Sequence, residues 1–176
     1  LLWGKNEAVF RNRLPLSDLT APLTDVLDHW RARGGEDLAC PWPKFEMHFL
    51  PPRVLPTTLV IDVFDDANAN KYRFWGSKMT LIHGQDMTGR SPYELSPPEL
   101  AEDLRKQHLE IRENRAACAH VLGFALESGL TQTHTILRLP LSDDGRTVSH
   151  IVGVVWYSPE ALKQFEQKGQ GSLFGP

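Results

Sequence analysis

The sequence predicts an α+β fold: a five-stranded antiparallel sheet, helices covering one face, and an amphipathic helix ahead of them. Three observations carry this expectation. Runs rich in β-branched and aromatic residues come first as a pair and then as a trio, on either side of a helical middle. Turn-forming residues separate members of each group, with Asp65-Asp-Ala-Asn-Ala-Asn70 in the first and Asp143-Asp-Gly145 in the second. A strand that stops at Gly76 runs into a short helix and a polar turn, an order that lays a lid across the sheet.

In chain order, residues 1–16 hold Trp3, Phe10 and Leu14 among charges without a clean period, and read as an arm. Leu19, Leu23, Val26, Leu27 and Trp30 then fall on one helical face, with Pro22 suited to a first turn and Gly34-Gly35 to a stop. Residues 41–56 carry Pro41, Pro43, Pro51, Pro52 and Pro56, which remove backbone donors and predict an irregular connector anchored by Phe45, Met47, Phe49 and Leu50. Thr57 to Phe64 reads as the first strand, and Lys71 to Trp75 as its return. A short helix over Ser77 to His83 follows, then a turn bracketed by Gly84 and Gly89, where positive φ is easily adopted. Ser96 is a candidate N-cap for a long helix from Pro97-Pro98 to about Cys118, its inner side marked by Leu100, Leu104, His108 and Ile111. The last three strands are His120 to Leu126, Thr131 to Leu141 and Val148 to Tyr157. Leu137, Leu139 and Leu141 share one face of the middle one. Ser158-Pro159-Glu160 opens a short helix ending near Gly169.

Composition bounds what such a fold can do. At 176 residues the chain suits one domain, and chains near this size bury roughly 68–70% of their unfolded surface. A net charge of −3 and a pI of about 6.2 supply no positive field for nucleic acid. The pairs Arg31 with Arg33 and Arg105 with Lys106 alternate with acids, as solvated helix faces do. Two cysteines, Cys40 and Cys118, make no disulfide framework and fit a reducing cytoplasm. No apolar run approaches the ~18 residues of a membrane helix, and no signal peptide is visible at Leu1-Leu-Trp-Gly-Lys. The sequence lacks an initiator Met, so the native N-terminus is expected upstream.

The stretch Tyr72-Arg-Phe-Trp-Gly-Ser-Lys-Met-Thr-Leu-Ile-His-Gly-Gln-Asp-Met-Thr-Gly-Arg90 resembles the centre of a PAS domain, specifically of the proteobacterial PAS_5-like family. The connector up to Pro56 and the Leu139-Pro-Leu-Ser-Asp-Asp-Gly-Arg146 approach to the last strand are similar to the same family. The likeness runs from about Pro51 to Tyr157, which divides the chain into 1–50 (arm, helix and connector), 51–157 (PAS-like domain) and 158–176 (helix and tail). It implies a sensory domain in signalling, with a small-molecule cavity between sheet and helices. Output is expected through a partner or a homodimer, the latter paired by the Leu19–Trp30 helix. Asp86, Thr88, Gly89 and Arg90 match the family's most recognisable turn and are expected to hold the lid in place.

A sheet covered by helices leaves a concave, mostly apolar space, where small ligands commonly bind. Its candidate wall is Trp75, Met79, Ile82, Leu104, His108, Ile111, Leu137 and Val154, residues that a filled core uses equally well. An unidentified small apolar or aromatic ligand is expected there. The resemblance also allows haem, since some haem-binding relatives supply an axial His from a helix where His108 lies, with His83 a second position. A lone inward His is more often a hydrogen-bonded core residue. The Asn-Cys-Arg-Phe-Leu-Gln-like segment of flavin-based light sensors is absent. The seven histidines are scattered without metal-ligand spacing. No nucleophile, zinc-protease or phosphate-loop motif occurs, so no enzyme is expected. Asp62, mid-strand, is either a buried carboxylate or a solvent-facing loop cap. Two alternatives stand beside the sensor: an interaction module with a filled core, and a small pocket enzyme such as a hydrolase or isomerase.

Overall fold

The computed structural model describes residues 10–95, 98–125 and 131–157. Six strands form one antiparallel sheet: β1 (Phe10–Leu14), β2 (Thr58–Asp62), β3 (Lys71–Trp75), β4 (Cys118–Ala125), β5 (Thr131–Leu141) and β6 (His150–Tyr157), in the order β1-β4-β5-β6-β2-β3. The helices are α1 (Leu23–Ala32), α2 (Trp42–Phe45), α3 (Ser77–His83) and α4 (Pro98–Asn114). The expected N-cap Ser96 and the expected helix from Ser158 lie outside the described residues.

The sheet has six strands rather than five because part of the expected arm pairs with β4. Phe-Arg-Asn-Arg-Leu is too short and too charged to announce a strand, yet β4 supplies the backbone partners an edge strand needs, and edge strands tolerate charge. Arg11 and Arg13 reach α4, at 3.3 Å from Asp103 and 3.2 Å from Glu110. The long helix stops earlier than expected. Arg115 takes a positive φ of 51°, and Cys118 opens β4 instead of closing α4.

Helices cover both faces of the sheet, not one. Strand side chains alternate, and each parity meets its own layer. Leu59, Ile61, Ile136, Ile151, Val155 and Tyr157 face α3 and α4. Val60, Leu137, Leu139, Leu141, Val152 and Val154 face α1 and the proline-rich connector. There Leu23, Val26, Leu27 and Trp30 of α1 are buried, and the Trp30 indole N–H donates to the Pro140 carbonyl at 2.9 Å. Gly35 is required beside that indole, since a Cβ would fall 2.1 Å from its ring. The connector is more ordered than its prolines imply, with α2 and 3-10 turns at Met47–Phe49 and Leu55–Thr57. Phe45 and Leu50 are its anchors; Phe49, expected to help them, is 62% exposed.

The polar turn after α3 acts as a substitute strand on the free edge of β3. The Tyr72 amide donates to Arg90 O at 2.9 Å and the Gly89 amide to Tyr72 O at 2.7 Å. Asp86 holds the turn by accepting from the Thr88 amide and hydroxyl at 2.8 and 2.7 Å. Gly84 and Gly89 both sit at positive φ, 73° and 77°.

Candidate functional site

Between the α3/α4 face of the sheet and α3 lies a cavity of about 70 Å³. One water needs roughly 10–15 Å³ by this measure, so the space suits a ligand of several heavy atoms. Leu59, Leu122, Ile136 and Val155 form its floor, Tyr72 and Trp75 of β3 one side, and Met79 and His83 of α3 its lid, with Leu95 and Leu100 beside them.

Of the expected wall, Trp75 and Met79 line this cavity. Ile82, Leu104 and Ile111 belong to the same apolar layer but stand behind the lining. Leu137 and Val154 are on the other face, packed with the α1 layer. The apolar parity of β5 serves α1, while its cavity side presents His134, Ile136 and Arg138. Those three, with Tyr72, Leu122 and Tyr157, escaped sequence reasoning; the alternation within β5 held the signal, because Arg138 interrupts an apolar strand.

His108 is buried outside the cavity lining. The Asn70 side-chain amide donates to the Tyr93 hydroxyl at 3.1 Å, and that hydroxyl lies within hydrogen-bond distance of His108 Nδ1 at 3.2 Å. Burial, followed by the charge of Arg138, lowers the His108 pKa to about 3, so the ring is neutral. With no cavity against its ring, His108 does not fit an axial haem ligand. His83 does line the cavity, its ring 5.3 Å from that of Trp75. Among the described residues no group of three or more His, Cys, Asp or Glu stands where it could hold a metal ion.

The cavity's charge is carried by Arg138, which is 2% exposed. Its strand neighbours are Cys118 on β4 and Gly153 on β6. Its Nε and Nη1 are buried without a hydrogen-bond partner. Desolvation pulls the guanidinium pKa down and also holds His83 to about 4 and His134 to about 3, with the Arg138 charge adding to the latter. Burial pushes the Tyr72 and Tyr157 hydroxyls up, so both stay protonated. The result is an apolar space with neutral polar groups and one cationic side chain among its described lining residues.

Asp62, for which the sequence leaves burial and solvent exposure both open, is 8% exposed, accepts from Arg73 Nε and lies 3.4 Å from His150 Nε2. Ser149 Oγ is 3.0 Å from His150 Nδ1. These are the residue types of a nucleophilic triad. Here, however, the Ser149 hydroxyl accepts the Asp143 amide at 3.0 Å and ties the β5–β6 hairpin together. The cluster closes a turn.

No protein-family model matches the chain, and no curated protein does. Solved structures are similar at low identity. An RNA-binding light-oxygen-voltage receptor matches 96% of this chain and 44% of its own, at 13% identity and a TM-score of 0.48. The dark structure of the blue-light photoreceptor Aureochrome1 LOV matches 89% and 97%, at 14% identity and a TM-score of 0.42. A fungal LOV domain photoreceptor matches 77% and 91%, at 13% identity and a TM-score of 0.43.

Proposed function

We propose that this chain is a PAS-like sensory domain that binds a small molecule in the cavity between its sheet and α3, and signals through a partner protein or a second copy. The observation that carries this is the cavity itself, an apolar space beneath a short helix, walled by buried side chains. The element order and the Tyr72–Arg90 stretch, with their resemblance to PAS domains, support the same assignment. Occupancy would act by favouring one arrangement of α3 over another, which requires different affinity for the two.

Native mass spectrometry and an absorption spectrum on protein purified without denaturant test this proposal. The expected result is a co-purifying small molecule that is lost in the cavity-filling variant Leu122→Trp. Equal occupancy in both proteins would place the ligand elsewhere.

The interaction-module alternative has less behind it. The apolar side of the Leu19–Trp30 stretch, which would pair with a second copy, is buried against its own sheet. Leu23→Asp is therefore expected to unfold the domain rather than to dissociate a dimer.

A further inference from the structure

We infer that the cavity takes a small organic acid, its apolar body against Trp75, Leu122 and Val155 and its carboxylate on the guanidinium of Arg138. This rests on the cavity being a ligand site and adds the chemical class of the ligand.

An arginine buried in an apolar core is costly unless an anion pairs with it. Arg138 sits at 2% exposure mid-strand, between Leu137 and Leu139, where an apolar residue of similar length would pack at no such cost. No hydrogen bond or ion pair joins its guanidinium to a described residue, and Nε and Nη1 are among the buried atoms left unpaired. The Asp103 carboxylate, close enough to be felt electrostatically, is instead bonded to Arg11 at 3.3 Å and to the Gln107 amide. Arg11, also near enough to be felt, is taken up by Asp103, and the remaining polar groups nearby are neutral: His108, His120 and His134 are held unprotonated by burial, and Tyr72 and Tyr157 keep their protons.

The site thus offers a positive fork and asks for a negative charge. A guanidinium presents parallel N–H donors that match a carboxylate's two oxygens. One cation within apolar walls suits a monoanion with a hydrocarbon body, whereas a phosphate dianion would need more donors than the described lining provides. The volume of about 70 Å³ admits acids of roughly four to eight carbons.

The test is calorimetric titration of the full chain with butanoate, hexanoate and benzoate, each beside its amide. At least one acid is expected to bind about tenfold or more tightly than its amide, the difference a charge-assisted pair makes. Arg138→Gln is expected to abolish that preference. Arg138→Met is expected to raise the ligand-free melting temperature by a few degrees, because it removes an unpaired buried charge. An amide binding as well as its acid overturns the acid assignment and leaves the cavity as a site for neutral ligands. Binding by neither member of any pair overturns both. Acid preference that survives in Arg138→Gln puts the anion elsewhere and overturns the assignment. So does a fall in melting temperature for both Arg138→Met and Arg138→Lys, which would mark the arginine as a structural support.

Discussion

The two faces of the sheet solve different problems. Against α1, the core is apolar and little in it is unpaired: Leu137, Leu139, Val152 and Val154 are fully buried, the Trp30 indole has its carbonyl, and Arg33 Nε at the end of α1 is the exception among the described residues. Against α3 and α4, the core keeps a cavity, a buried arginine and several buried polar atoms without partners, including Gln107 Oε1 and His120 Nδ1. Unpaired buried polar groups lower stability. Their concentration on one face means that the α1 face carries the stability and the α3/α4 face sacrifices some of it. The proposed site lies on the less satisfied side.

The largest effect expected from this contrast is Leu139→Ala, which opens a void in the α1 layer and should cost about 2–5 kcal/mol in urea unfolding. Leu122→Ala, at the rim of an existing cavity, should cost clearly less. Equal losses would break the comparison. Trp30→Phe leaves the Pro140 carbonyl without its donor and should cost about 1–3 kcal/mol. Gly89→Val adds a β-branched residue at φ 77°, where open space means backbone strain is the whole penalty; a loss of about 1–2 kcal/mol is expected. An unchanged melting temperature there would remove the turn from the elements that hold the lid.

Acid sensitivity sharpens the same contrast. His83 and His120 are held to about 4, and His108 and His134 to about 3, all on the α3/α4 side. The unfolded chain binds a proton at each of them below about pH 6.5 while the folded chain does not, so unfolding gains from every step toward acid. Stability is complete above pH 6.5 and falls as the pH drops toward 4, by about 1.4 kcal/mol per unit for each such histidine. Urea midpoints at pH 7, 6 and 5 measure this, and His108→Gln should reduce the slope by one proton's worth. An identical slope in the variant would mean His108 titrates alike folded and unfolded. The smallest change expected is Leu109→Gln, 53% exposed on the outer side of α4, within about 0.5 kcal/mol of wild type.

Much of the fold was legible in advance because local chemistry dictates it. β3, α3 and β5 occupy the expected residues, and Gly84, Gly89 and Gly145 take the positive φ their turns require. Strand β1 was not legible, since a charged edge strand depends on β4 for its hydrogen bonds and shows little in its own composition. Six of the eight expected wall residues lie outside the cavity lining, two of them for a related reason. Leu137 and Val154 have the right residue type for a cavity wall, but parity alone does not say which face meets which helix. His108 has the right chemistry for a ligand, and only the folded structure discloses that its ring lies outside the cavity, its Nδ1 beside the Tyr93 hydroxyl.

The sequence by itself determined β2 to β6, the amphipathic helix, the lid turn and the absence of local catalytic motifs, since each follows from periodicity and backbone preference over a few neighbouring residues. Only the tertiary structure decided which face is packed and which is hollow, and that Arg138 lies in the hollow without a hydrogen-bond partner among the described residues. Burial and pairing are sums over residues far apart in the chain: Cys118, Arg138 and Gly153 become neighbours only when β4, β5 and β6 align.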